Sequence, residues 1–141
     1  LYPEQNPLVI DNLSECNFGE WEGKTADELK NDPDFEKWLA GDSSVKPPRG
    51  ESNADFPRRV CKMFESIVEG LMKTGTTESV IVTHGGVIMT LLAVYGLPQA
   101  KPFEWTMDNG FGYSLRVTPV LWQRDKVCEV FQTIPLPSEN D

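Results

Sequence analysis

The one histidine of the chain, His84, lies where an apolar segment meets a pair of glycines. The run from Val80 to Thr83 predicts a buried strand, and Gly85 and Gly86 follow His84 at the start of a predicted helix. A side chain at the end of such a strand points into the mouth of an α/β sheet, and the first amides of the helix form an anion site there. An imidazole in this place can transfer a proton near pH 7 or hydrogen-bond a phosphoryl oxygen. The alternative is a histidine that only satisfies a backbone carbonyl.

Two glutamates, an arginine and an asparagine are further candidates. Glu15 lies in a loop among apolar side chains, whose partial desolvation would favour the protonated form needed to protonate a leaving group. Glu51 precedes a long predicted helix and either caps it or pairs with an arginine, and Arg59 in its first turns is able to reach a phosphate. Asn109 is first of all part of an Asn-Gly turn signal. For each residue the alternative is a structural or solvated side chain.

Composition narrows the class of protein. The 141 residues are 39% hydrophobic and carry a net charge of −9, which favours a folded domain and disfavours nucleic acid or an anionic membrane as the main partner. Cys16, Cys61 and Cys128 form no Cys-x-x-Cys pattern, and a single histidine excludes a His-based metal cluster. No apolar run approaches the roughly 20 residues of a membrane helix. We therefore expect a cytoplasmic protein without a disulfide framework or a metal.

Hydrophobic periodicity and turn signals predict alternating helices and strands. The predicted helices run from Thr25 to Lys30, from Pro33 to Leu39, from Ser52 to Lys73 with a start near Asp55, and from Val87 to Tyr95. The predicted strands run from Pro7 to Asp11, from Val80 to Thr83, from Tyr113 to Val117 and from Val127 to Thr133. A turn containing Gln123-Arg124-Asp125 is predicted between the last two strands. Helices that alternate with strands before a final antiparallel pair indicate an α/β sandwich with a mixed sheet. We predict one domain over residues 1–134 and a tail over residues 135–141.

Four motifs follow one another over residues 13–118. They are Leu13-x-Glu15-x-x-Phe18-Gly19-x-Trp21-Glu22-Gly23, Gly50-Glu51-Ser52-x-x-Asp55-x-x-x-Arg59, Val82-Thr83-His84-Gly85-Gly86-Val87 and Asn109-Gly110. In this order they resemble the histidine phosphatase superfamily. Within the superfamily they resemble the phosphoglycerate-mutase-like branch, near the small α-ribazole-phosphatase-type enzymes. The resemblance implies a three-layer sandwich, in which a mixed sheet is flanked by helices.

The resemblance also implies a chemistry, which is phosphoryl transfer in two steps through a phosphohistidine. His84 then matches the second histidine, which stabilises the transferring phosphoryl group together with the backbone of Gly85. Glu15 matches the general acid that protonates the leaving oxygen and then activates water. The residues Glu51, Arg59 and Asn109 are expected beside the phosphate and substrate. No cofactor is implied, because arginines and histidines neutralise the phosphoryl charge.

Two features of the family do not occur in these residues. The family's nucleophile lies in an Arg-His-Gly motif after the first strand, and a second phosphate-binding arginine follows on an early helix; the 141 residues contain neither. We therefore expect an incomplete domain whose N-terminal strands are missing and which is inactive alone. Truncation, disorder, absence from the gene, and completion by another copy in a homo-oligomer are the explanations left open.

The expected activity of the parent protein is hydrolysis of small phosphorylated metabolites. A phosphoglycerate mutase is the nearest alternative, although the insertions that shield a mutase's phosphoenzyme from water look too short here. A non-catalytic pseudophosphatase, which keeps the pocket for binding or assembly, is the alternative from another functional class.

Overall fold

The computed structural model describes residues 8–135. Within this range the helices and strands are α1 (Ala26–Leu29), α2 (Pro33–Leu39), α3 (Asp55–Thr74), α4 (Gly85–Tyr95), β1 (Gly96–Leu97), β2 (Gly112–Arg116), α5 (Pro119–Asp125) and β3 (Cys128–Ile134). Single 3-10 turns cover Asp11–Leu13, Gly19–Trp21 and Pro102–Glu104. The helices α1 to α4 therefore confirm the four predicted ones, with shifts of a few residues at their ends.

The sheet is mixed. Its strand order is β1-β3-β2, with β3 in the centre. Strand β1 pairs with β3 in parallel, and β2 pairs with β3 in antiparallel orientation, with an irregularity between Ser114 and Leu115. The predicted α/β class with a mixed sheet is therefore confirmed.

The short helices α1 and α2 are held by a cap and by aromatic packing. Thr25 Oγ1 accepts the amide of Glu28 at 3.2 Å, and Glu28 Oε2 accepts the amide of Thr25 at 3.1 Å, which is the predicted capping box. The ring of Trp21 packs edge-on against Phe35 and Trp38, at centroid distances of 5.5 and 5.8 Å. This packing connects α2 to the turn that carries Trp21, and the capping box fixes the start of α1.

Helix α3 carries the main core. Its buried side chains Val60, Phe64 and Val68 are spaced four residues apart and so form one face. The rings of Phe64, Tyr95 and Trp122 meet at centroid distances of 5.2 to 6.0 Å, where α3, α4 and α5 pack together. Within residues 8–135, no helix combines the length and the apolarity needed to cross a membrane.

The predicted buried strand over Val80 to Thr83 is wrong. This segment forms no regular structure, and Val80 and Val82 are 56% and 81% exposed. A strand forms only when a neighbouring strand satisfies its backbone, and none of the described residues pairs with this segment. The apolar run indicates a strand sequence, but it carries no information about whether a partner is present.

Two smaller predictions also need correction. The strand predicted over Pro7 to Asp11 does not form within the described residues. Residues 8–10 have no regular structure, and Asp11 begins a 3-10 turn. Pro7 lies outside the described residues. The turn predicted around residues 123–125 is the end of α5, where Pro119 starts a helix and the buried ring of Trp122 anchors it. The strand β1 was not predicted, because its two residues are too few to show the alternation of apolar and polar side chains that indicates a strand.

The core of α4 gives a test of this packing. Val87 is completely buried and Val94, on the same helix, is 53% exposed. We expect Val87→Ala to lower the free energy of unfolding by about 2 kcal/mol, because it removes two buried carbon atoms and leaves a cavity. Val94→Ala, the matched control, should change it by less than about 0.5 kcal/mol. Urea unfolding followed by tryptophan fluorescence measures both, and equal effects would contradict the packing described.

Candidate functional site

The carboxylate of Glu15 lies at the beginning of α4. Its Oε2 accepts the backbone amide of Gly86 at 3.3 Å, and its Oε1 accepts the amide of Cys16 at 3.0 Å. Glu15 and Gly86 are 71 residues apart in sequence. The predicted general acid and the helix start beside His84 are therefore brought together by one hydrogen bond.

Gly86 allows this approach because it has no side chain. A Cβ atom at this position would lie 2.5 Å from Glu15 Oε1, far inside ordinary van der Waals contact. The sequence pattern singled out the glycine pair as an anion site, and the anion found at the amide of Gly86 is the protein's own carboxylate. Gly86 was not among the predicted site residues, although the amides of the pair were expected to face the pocket.

His84 stands immediately before α4. Its backbone is extended, its carbonyl accepts the amide of Ile88 at 3.0 Å, and its side chain makes no capping hydrogen bond to the helix. The residue is exposed, as is Gly85, the first residue of the helix. Within residues 8–135 the imidazole hydrogen-bonds no backbone carbonyl, so the alternative interpretation of His84 as a carbonyl partner finds no support.

Arg59 lies behind Glu15 and makes a dense set of hydrogen bonds. We call residues 12–15 the Glu15 loop. The guanidinium donates to three of its carbonyl oxygens: Nη1 to Asn12 at 2.9 Å, and Nη2 to Ser14 at 3.1 Å and to Glu15 at 3.3 Å. Arg59 also forms a bidentate pair with Glu51, Nε to Oε2 and Nη2 to Oε1, both at 2.8 Å. Arg59 and Glu51 therefore connect α3 to the Glu15 loop.

Glu51 is fixed from the other side by the chain just after the Glu15 loop. Its Oε1 accepts the amide of Asn17 at 2.9 Å, and its own amide donates to the Asn17 carbonyl at 2.8 Å. The two chain segments approach closely at Gly19, which has a φ of +54° and where a Cβ would lie 2.1 Å from the carbonyl oxygen of Pro48. Gly19 of the first motif and Glu51 of the second therefore lie where the same two segments of the chain cross.

The charges of this cluster follow from these bonds. The hydrogen bonds from Arg59 hold the pKa of the Glu51 carboxyl below its usual range, and Glu51 in turn raises the pKa of Arg59. Burial, followed by the nearby Glu51 and Glu15, raises the pKa of the Cys16 thiol to about 11. At neutral pH the cluster therefore contains an ion pair and a thiol whose raised pKa disfavours the thiolate form.

Thr83 is a site residue that the sequence did not reveal. Its Oγ1 donates to the carbonyl oxygen of Leu13 at 2.7 Å and so links the segment before His84 to the Glu15 loop. A threonine at the end of an apolar run is an ordinary strand residue, and nothing in its neighbours identifies the carbonyl it meets. Only the folded chain shows this link.

Asn109 is not joined to this cluster. It lies exposed in a turn with Gly110, where the amide of Phe111 donates to the carbonyl of Asp108 at 3.0 Å. No hydrogen bond links Asn109 to Glu15 or His84 within the described range, so its predicted contact with substrate stays a prediction. In residues 8–135, no group of three or more His, Cys, Asp and Glu side chains is placed to hold a metal ion.

The glycine pair offers a direct test of the Glu15 position. We expect Gly86→Ala to displace the Glu15 carboxylate, because the new methyl group would occupy its place. In Gly85→Ala the methyl group meets open space, so the bond from Gly86 to Glu15 should remain. Crystal structures of the two variants measure the distance, and an unchanged Glu15 in Gly86→Ala would refute the assigned geometry.

The pH dependence of stability tests the Glu51–Arg59 pair. A carboxyl whose pKa is lowered by folding stabilises the protein above its unfolded pKa of about 4.3, and this stabilisation is lost as the pH falls through the folded value. Glu51→Gln should therefore lower the free energy of unfolding at pH 7 by about 2 kcal/mol. The difference from wild type should shrink as the pH falls below about 4.

Urea unfolding across this pH range measures the effect of Glu51→Gln. Its control is Glu20→Gln, which removes an exposed carboxylate 3.7 Å from Arg49 and should change stability by less than about 1 kcal/mol at any pH. A Glu51→Gln penalty that does not vary with pH would show that the ion pair is not its source.

Part of the chain is similar in sequence to proteins of two mycobacteria. Three relatives are each 41% identical over 64 residues, which is 45% of this chain and 18% of the relative: an uncharacterized protein of Mycobacterium bovis, an uncharacterized protein of Mycobacterium tuberculosis, and a Mycobacterium tuberculosis protein named as bifunctional. The match thus covers under a fifth of the length of these relatives. No solved structure matches the chain.

The family match is much longer than the match to these relatives. Residues 4–128 match the model of the histidine phosphatase superfamily, branch 1, and this range contains Glu15, Glu51, Arg59 and His84. The chain therefore belongs to branch 1 of the histidine phosphatase superfamily.

Proposed function

We propose that the protein containing these residues hydrolyses small phosphomonoesters through a phosphohistidine, in the manner of the α-ribazole-phosphatase-type enzymes that the motifs resemble. Membership of the superfamily supports phosphatase or mutase activity in general. The observation that carries the proposal is the hydrogen bond from the Gly86 amide to Glu15, which joins a carboxylate to the helix start beside an exposed histidine. In phosphoryl transfer through a phosphohistidine, an acid can protonate the leaving oxygen, and an imidazole and backbone amides can stabilise the phosphoryl charge.

In the first proposed step the phosphoryl group moves from the substrate oxygen to the nucleophilic histidine. His84 and the amide of Gly85 stabilise the charge on the phosphoryl oxygens, and protonated Glu15 gives its proton to the leaving oxygen. In the second step the Glu15 carboxylate takes a proton from water as the water attacks phosphorus, and the nucleophile is released. Because His84 is the one histidine of the 141 residues, the nucleophile comes from outside them.

Hydrolysis is favoured over mutase chemistry by the length of the chain segments around the site. The insertions that shield a mutase's phosphoenzyme from water are short in this sequence. A mutase must keep water away from its phosphoenzyme until the phosphoryl group returns to the substrate. The substrate class that we propose, small phosphorylated metabolites, follows from the resemblance to the α-ribazole-phosphatase-type enzymes.

Activity measurements test this proposal. The 141-residue chain should not turn over p-nitrophenyl phosphate above the background rate, and turnover that His84→Ala abolishes would contradict the role given to an outside nucleophile. The gene's coding region upstream of residue 1 should encode Arg-His-Gly. Its absence there would favour a non-catalytic pseudophosphatase.

The role of Glu15 is tested in the full-length gene product. Glu15→Gln should lower kcat by about 10²- to 10⁴-fold, because a general acid contributes this much, whereas the exposed control Glu20→Gln should leave kcat unchanged.

The full-length gene product also allows hydrolysis and mutase chemistry to be distinguished. With 3-phosphoglycerate as substrate we expect release of inorganic phosphate. Formation of an isomer without phosphate release would show a mutase instead.

A further inference from the structure

The Glu15 loop is held by side chains from two separate parts of the chain. All four of its consecutive carbonyl groups accept a side-chain hydrogen bond: those of Asn12, Ser14 and Glu15 from Arg59, and that of Leu13 from Thr83. Loop carbonyls are more often satisfied by water, which leaves the loop free to change its conformation. Here the donors are Arg59 of α3 and Thr83, which directly precedes His84. The backbone that carries Glu15 is therefore constrained on both sides.

The guanidinium of Arg59 has little capacity left for a ligand. Each of its three nitrogens donates to a protein acceptor, and its charge is balanced by the bidentate pair with Glu51. The side chains of Arg59 and Glu51 are only 22% and 19% exposed. A phosphoryl oxygen would have to displace one of these bonds and compete with a carboxylate already in place.

We propose that Arg59, oriented by Glu51, and Thr83 are positioning residues that set the Glu15 carboxylate against the amide of Gly86, and that Arg59 acts on the reaction through this loop. This inference replaces the phosphate-binding role predicted for Arg59 from the sequence. Its effect on catalysis rests on the proposed function, whereas its effect on the geometry of Glu15 does not.

The chemistry of the two side chains explains why they suit this task. A guanidinium is a rigid planar fork that reaches several acceptors at fixed angles, and the single ammonium group of lysine cannot replace it at a bidentate site. The threonine hydroxyl supplies the donor for the one carbonyl that Arg59 does not reach. Misplacing a catalytic group by about 1 Å can cost about 10²-fold in rate, so even a small relaxation of the loop is measurable.

The first experiment follows the amide of Gly86 by NMR in the 141-residue chain. The chemical shift of this amide proton should change with pH because of its hydrogen bond to Glu15, and we call this change the Gly86 response. Glu15→Gln should abolish the Gly86 response. Arg59→Lys should largely remove the response. Arg58→Lys, the same change at an exposed neighbour that pairs with Asp55, should retain it. A wild-type response in a folded Arg59→Lys variant would overturn the proposal.

Thr83 provides a second route if Arg59→Lys does not fold. Thr83→Val keeps the shape of the side chain but removes the hydroxyl donor, and Thr83→Ser keeps the donor. We expect a weakened Gly86 response in Thr83→Val and a restored one in Thr83→Ser. Equal responses in the two variants would show that the bond to Leu13 does not position Glu15.

The second experiment measures catalysis and phosphate binding in the full-length gene product. Arg59→Lys should lower kcat by about 100-fold with little change in KM, and the affinity for inorganic phosphate, measured by calorimetry, should stay constant. A loss of phosphate affinity with an unchanged Gly86 response would make Arg59 a phosphate ligand and overturn the proposal. Absence of activity in the wild type would refute the proposed function, but the Gly86 response would still decide the positioning role.

Discussion

The partly buried charge of Arg59 is the constraint from which the geometry of the site follows. A guanidinium has five N–H donors, and each one removed from water needs an acceptor. Glu51 supplies two acceptors and compensates the charge, and the Glu15 loop supplies the others through three carbonyls and the hydroxyl of Ser14. The loop carbonyls also need donors, so the arginine and the loop satisfy each other. As a consequence, the conformation of the Glu15 loop is set by a side chain that is 44 residues away from Glu15 in sequence.

Glu51 can hold Arg59 only because backbone contacts hold Glu51. Its amide bonds the carbonyl of Asn17 and its carboxylate bonds the amide of Asn17, so the anion is tied to the chain from both ends. The close approach of these segments depends on Gly19, whose positive φ and missing side chain admit the carbonyl of Pro48. Gly19 of the first motif, and Glu51 and Arg59 of the second, are therefore conformational requirements of the loop that carries Glu15.

Local signals in the sequence were sufficient for the helices and insufficient for the contacts between them. The capping box at Thr25 and the four-residue spacing on α3 depend on neighbours along the chain, and both are confirmed. The segment Val80 to Thr83 has the composition of a buried strand, but strand formation depends on a partner elsewhere, and here the prediction was wrong. The site shows the same division. Residue types identified Glu15 and His84 as candidates, but no residue type specifies which backbone carbonyl a side chain such as Thr83 will meet.

The Glu15 carboxylate and a substrate phosphoryl group are both drawn to the positive end of α4. In the free protein the carboxylate accepts the amide of Gly86 and benefits from the helix dipole. In the proposed reaction a phosphoryl group held by His84 and the amide of Gly85 brings a second anion to the same helix end. The first proposed step needs an acid at this helix end and the second needs a base, and Glu15 is the one side chain assigned to both roles. Both steps therefore depend on where the Glu15 carboxylate lies, and the bonds from Arg59 and Thr83 to the Glu15 loop hold the backbone that carries it.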